Sequence, residues 1–235
     1  MLLVVLPLVA ALCSQDGASQ PSSERAALEA GLARARPDLR CAALDSLRPR
    51  VPLDVLPLVQ ASLADPDEQV RCTALGVLGK LESPQSLEIL LADASERLVS
   101  LRGRRRERVA LLRALARRGD PRALSALTED AHADYDLHVL RTRILALARV
   151  RSRDSIDALV ALGKGLPFAE QQQVMLEWRL AWSVLTGRDG GRTVADWTRW
   201  WAETRATFEV SPELPALSES DRSRWLDAWA DETTR

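Results

Sequence analysis

The chain has 235 residues, of which 46% are hydrophobic, enough to bury a core in one domain or one repeat array and too many for disorder throughout. Lys and Arg number 32 against 33 Asp and Glu, a net charge of -1. That balance gives no global attraction to nucleic-acid phosphates or anionic lipid, so any charge-driven binding must come from a local patch.

Met1 to Leu12 are uncharged and almost wholly apolar. The run is too short for a spanning helix of roughly 20 residues but fits the apolar core of a secretory signal. No Lys or Arg precedes it; Ala11 and Cys13 supply small residues before a cut at Ser14. The expectation is a signal or apolar segment over 1–13, a polar linker over 14–23, and an exported chain, periplasmic or secreted. Two alternatives stay open: lipidation of Cys13, although Leu12 stands where that signal wants a small residue, and retention as a membrane anchor.

Residues 24–165 repeat. The block Arg71-Cys72-Thr73-Ala74-Leu75 to Pro84 aligns without gaps on Arg108-Val109-Ala110-Leu111-Leu112 to Pro121, an earlier copy begins at Arg40-Cys41-Ala42-Ala43-Leu44, and a looser one runs from Arg141 to Val150. Each copy reads as a helical hairpin. In the second, Leu53, Leu56, Val59 and Leu63 recur at helical spacing, Asp65-Pro66-Asp67 breaks the chain, and Val70, Ala74, Leu78 and Leu81 resume the period. Asp67 is placed to cap the second helix, and Pro84 and Pro121 stand where a new helix starts. A lone hairpin leaves one apolar face wet; stacking hairpins buries those faces in a continuous core.

Asp67-Glu68-Gln69-Val70-Arg71-Cys72-Thr73-Ala74-Leu75 resembles the second-helix signature of HEAT repeats, with Val70 and Ala74 in the core and Asp67 and Arg71 at intra-repeat polar positions. The first copy departs from it, since Asp38 stands only two residues before Arg40. The short spacing is similar to the compact bacterial type, also seen in phycobilisome lyase subunits. The resemblance implies an all-α fold, a right-handed α-α superhelix of HEAT-like helical hairpins, and says little about function.

Between Arg97 and Arg118 nine arginines face one acid, Glu107. Arg102, Arg104, Arg105, Arg106 and Arg108 are the candidate partner-binding residues, the first four within an expected extended inter-helix connection that lengthens the third repeat. A solvated or internally paired face is the plain reading; an acidic segment of a protein partner is the functional one. Nucleic acid is not expected, because the chain is read as exported and no base-stacking aromatics interleave the run. Asp130, His132, Asp134, Asp136 and His138 fall within nine residues, and His132, Asp134 and His138 are weak metal candidates. Their spacing matches no established ligand pattern, and a capped polar turn explains them. Cys41 and Cys72 share a repeat position; stacked helices hold such positions about 8–10 Å apart, too far for an unstrained disulfide.

After Gly165 the composition changes, and all seven Trp lie between Trp178 and Trp229. The pairs 178/182, 197/201 and 225/229 each share a helix face, as a Trp-rich helical cap over 166–235 requires. The alternative is an indole platform for a carbohydrate or other envelope ligand. Leu185-Thr186-Gly187 to Arg192 with Asp196-Trp197 and Trp200-Trp201 resembles a terminal motif of exported bacterial HEAT-repeat proteins. Its glycines lack the Lys-Ser/Thr of a phosphate loop and read as a helix terminator and turn, so no cofactor is implied. From Glu209 to Glu232 seven acids meet two Arg, an acidic tail. No nucleophile stands with a base. The sequence therefore favours a non-catalytic protein-binding or scaffold protein of the cell envelope, with an enzyme-accessory role implied only by the lyase resemblance.

Overall fold

The computed structural model describes residues 22–129, 136–189, 191 and 193–230. The signal and Cys13 readings lie outside those residues. All regular structure described is helical: α1 (Ser23–Leu32), α2 (Pro37–Asp45), α3 (Leu56–Ala61), α4 (Glu68–Lys80), α5 (Pro84–Leu91), α6 (Ala94–Ser100), α7 (Arg105–Arg118), α8 (Leu124–Thr128), α9 (Leu137–Arg149), α10 (Arg153–Gly165), α11 (Phe168–Gln173), α12 (Met175–Thr186), α13 (Val194–Thr204) and α14 (Glu219–Trp229), with short 3-10 turns at 53–55, 62–64 and 121–123. None of the described helices is long and apolar enough to cross a membrane.

Local chemistry sets the helix ends. Asp67 accepts from the amides of Gln69 and Val70, Asp136 from those of His138 and Val139, and Ser83 from Gln85 and Ser86, each satisfying donors that a helix start leaves open. Pro84 opens α5 and Pro121 opens a 3-10 turn leading into α8. Gly119 and Gly187 end α7 and α12 with φ of 61° and 71°, a left-handed conformation that costs glycine nothing.

The second helices of successive hairpins neighbour one another in the order α2, α4, α7, α9, α12, and first helices pack against them, α1 on α2, α3 on α4, α5 on α7 and α8 on α9. The architecture is an α solenoid. Val70, Ala74, Leu78 and Leu81 are buried, and one continuous cluster runs from Leu28 to Trp225, so the Trp-rich segment joins the array's core without a break. Two expectations need correction. Leu53 is exposed, because the 3-10 turn at 53–55 shifts the phase and brings Val55 and Leu56 inward. The third repeat is longer because it contains an additional helix, α6, entered through Asp93 at φ 53°; Arg105 and Arg106 form the first turn of α7, not an extended connection.

Helices α4 and α7 come close at Gly79, where an added Cβ would stand 2.8 Å from Ala114 Cα and 3.1 Å from its carbonyl oxygen. Alanine there should destabilise the protein by about 1–3 kcal/mol through overpacking, despite a helix-propensity gain of up to about 1 kcal/mol. Gly76, one turn earlier in the same helix, has nothing within 4 Å of an added Cβ. Gly76→Ala should instead stabilise, by about 0.5–1 kcal/mol. Urea titrations of the two variants check this; equal effects would mean that backbone approach does not set the α4–α7 seam.

Candidate protein-binding surface

The repeat position occupied by Arg40, Arg71, Arg108 and Arg141 lies along the seam between neighbouring hairpins. Arg40 donates from Nε and Nη2 to the two Asp65 oxygens at 2.9 and 2.8 Å, and from Nη1 to the carbonyls of Arg34 and Ala35. Arg71 repeats the pattern one hairpin on: it grips Glu107 bidentately at 2.9 and 2.6 Å and donates to the carbonyls of Asp65 and Pro66. Arg141 donates to the Gln173 carbonyl and lies 3.4 Å from Glu177. Arg40, Arg71 and Arg141 therefore each tie a turn within their own repeat, or at the next hairpin, to an acid in the following repeat. In the first copy Asp38 pairs with Arg36 instead, leaving Arg40 to reach Asp65. Hydrogen bonding to Arg71 holds the Glu107 carboxyl below the usual range. Burial alone would raise Asp65, but Arg40 overrides it and the net shift is downward.

Where hairpins two and three meet, the additional helix α6 opens a cleft of about 680 Å³. Leu63, Leu75 and Leu101 supply apolar wall, and Arg71, Arg97 and Arg104 supply guanidinium groups. Arg97 Nη1 is buried without a hydrogen-bond partner among the described residues. Beside the cleft rises a ridge in which the side chains of Arg104, Arg105 and Arg106 are 61%, 65% and 81% exposed. Arg104 and Arg106 are 3.9 and 3.8 Å from Glu107 and Glu68, while Arg105 donates to Asp136 at 2.6 Å. Arg102 is exposed nearby. Arg108 departs from the expectation: it is 2% exposed, because its repeat position directs it into the seam and away from solvent, and it is removed from the partner-facing set. Arg97 takes its place in the cleft, which Arg71 also lines while held by Glu107. The repeat alignment contains the signal for Arg71; Arg97 depends on α6, which the hydrophobic period did not reveal.

Among the described residues no group of three or more possible metal ligands occurs. His132 and Asp134 lie outside those residues; His138 is exposed, and Asp136 is engaged in capping α9 and binding Arg105. Cys41 and Cys72 are free thiols, and burial raises both, Cys72 to about 12, which suppresses the thiolate a nucleophile needs.

The indoles pack on one another. Trp197 stacks on Trp178 at 6.2 Å and on Trp182 at 5.7 Å between ring centroids, and Trp201 donates to Asp157 at 2.7 Å. Hydrogen bonding from Arg205 holds Asp157 below the usual carboxylate range despite partial burial. Trp178, Trp182, Trp197, Trp201 and Trp225 are buried, so the cluster is interior packing and its faces do not form an open platform.

Stacked helix pairs with inter-repeat arginines along the seams define an α-helical repeat architecture. Residues 25–103, which span α1 to α6, match the family model for HEAT repeats. No curated protein matches the chain.

Proposed function

We propose that this chain is a non-catalytic scaffold of the cell envelope that holds an acidic segment of a partner protein along the Arg102, Arg104, Arg105 and Arg106 ridge and in the adjoining cleft. The carrying observation is the cleft itself. Arg97 and Arg104 line it with Leu63, Leu75 and Leu101, and Arg97 Nη1 is buried without a hydrogen-bond partner among the described residues, a combination that takes a carboxylate together with a hydrophobic neighbour. The repeat class supports the reading, since stacked hairpins present an extended surface suited to a partner's linear segment. The exposed ridge adds electrostatic attraction that speeds encounter and fixes register.

The test compares the protein with a variant carrying Arg104→Glu, Arg105→Glu and Arg106→Glu, each immobilised and exposed to a solubilised envelope fraction. A specific protein held by the first, released by salt, and weakened at least about tenfold by the charge reversal is the expected result. If every retained protein binds both forms equally in low salt, the ridge is not the binding surface.

A further inference from the structure

The insertion of α6 brings Arg97 to the junction of hairpins two and three, where the cleft is lined by the 62–64 turn, by α4 and by the chain from Arg97 to Glu107. Its charged groups do not cancel. Arg40, from outside the cleft, holds both Asp65 oxygens, and Arg71 holds both oxygens of Glu107. Arg97 and Arg104 are left over. Arg104 stands 3.9 Å from a Glu107 carboxylate that Arg71 already neutralises. Among the described residues the Arg97 guanidinium makes one hydrogen bond, from Nη2 to the Ala92 carbonyl at a long 3.4 Å, and its Nη1 is buried with none. A guanidinium nitrogen withdrawn from water without an acceptor costs free energy until a ligand supplies one. Arg97 as a whole is half-buried, so one long bond is what a ligand has to displace.

The leftover charge calls for an anion, and the leucines narrow which one. Leu63, Leu75 and Leu101 share the cleft with the two guanidinium groups, so the ligand must bring a carboxylate and an apolar group to the same place. An internal Asp or Glu does this poorly. In an extended segment its neighbours' side chains point the opposite way, and the peptide groups on both sides of it enter with it. Those N–H groups need acceptors, and both carboxylates lining the cleft are committed, which leaves Gln60 as the uncommitted side-chain acceptor. A C-terminal apolar residue meets the constraint. Its carboxylate and its side chain leave one Cα, and a single peptide group follows it in. The volume of about 680 Å³ also falls in the range of small-ligand clefts, about 300–1,000 Å³, and not in that of a site for a long segment.

We infer that the cleft captures the C-terminal residue of a partner protein, an apolar side chain lying on the leucines and the free α-carboxylate held by Arg97 and Arg104. The inference rests on the reading of this cleft as the binding surface and adds which end of the partner enters it. Acids upstream of that terminus then meet the exposed ridge of Arg105 and Arg106.

The probes are fluorescein-labelled peptides titrated into the full chain and followed by anisotropy. The first is Gly-Asp-Glu-Ala-Leu with a free C-terminus, the second is the same peptide as its C-terminal amide, and the third ends in glycine in place of leucine. The free acid should bind at least about tenfold more tightly than the amide, the scale of a charge-assisted hydrogen bond, and the glycine peptide should also bind more weakly. Arg97→Ala, at native helicity, should bring the acid down to the level of the amide. An amide as tight as the acid, no binding of the acid at millimolar peptide, or an acid preference that Arg97→Ala leaves intact overturns the inference. Should Arg97→Ala fail to fold, Arg97→Gln keeps a donor on the same helix without the charge and must likewise lose the preference. The two readings fail separately. Equal binding of acid and amide, with an envelope protein still released by the Arg104–Arg106 reversal, removes the terminal carboxylate and leaves the scaffold. An acid preference lost in Arg97→Ala, with every envelope protein indifferent to the reversal, keeps the cleft and removes the ridge.

Discussion

Replacing Trp197 with alanine should destabilise the protein by about 3–5 kcal/mol, the range for truncating a large buried aromatic side chain. Trp197 is 1% exposed and forms the centre of a stack, with Trp178 on one side at an interplanar angle of 13° and Trp182 on the other at 19°. Both neighbours belong to α12, so the Trp197 ring holds α13 to that helix beside the Trp200–Trp182 edge contact at 5.6 Å, and its loss opens a cavity that two rigid indoles cannot fill. Phenylalanine should cost much less, about 1 kcal/mol. It keeps a ring in the stack, and the Trp197 indole N–H that it removes is buried without a partner among the described residues. Trp201 provides the contrast: its indole donates to Asp157, so Trp201→Phe leaves a carboxylate short of a donor and should cost more than Trp197→Phe. Urea unfolding followed by far-ultraviolet circular dichroism ranks the three variants. An alanine variant within about 1 kcal/mol of the parent would mean that the cap is not held by this stack.

The parts of this molecule that repeat could be read in its sequence, and the parts that occur once could not. Arg40, Arg71, Arg108 and Arg141 align because every hairpin must solve the same problem at its seam, so one residue type recurs at one position. The Trp pairs were legible for a similar reason, since spacing of four places two indoles on one helix face whatever they pack against. Helix α6 was missed because Ala94–Ser100 is a single insertion of seven residues, too short to show a period, and the arginines after it read as connection. The burial of Arg108 was missed because composition weighs nine arginines alike, whereas helix phase sends one inward and leaves Arg105 and Arg106 outside. The docking of α14 depends on Arg113 and Arg149 meeting Trp229 across 116 and 80 positions of chain, which no local pattern encodes.

The Arg71–Glu107 pair should carry the second-largest single effect. Their side chains are 19% and 6% exposed, and the bidentate contact is a polar link between hairpins two and three. Glu107→Ala removes the acid but leaves Arg71 largely desolvated, with only the Asp65 and Pro66 carbonyls to accept from it. Breaking a buried pair in this way costs about 3–5 kcal/mol, and because Arg71 retains some solvent contact the lower part of that range is expected. The pH dependence has a defined sign. Glu107 is held below its ordinary value in the folded protein, so its contribution is fully present above the unfolded carboxyl pKa of about 4.3 and is lost as pH falls through the lower folded value. Asp65 and Asp157 are shifted the same way and add to the same acid limb. The parent should therefore keep its stability from neutrality to about pH 5 and lose it below, and Glu107→Ala should show a shallower fall. A cycle with Arg71→Leu separates two explanations. If the double variant Arg71→Leu/Glu107→Leu recovers most of the loss, the cost of Glu107→Ala came from stranding a guanidinium in the seam. If it recovers none, the ion pair itself joins the hairpins, and the arginine position that repeats along the chain is what sets the registry of the array.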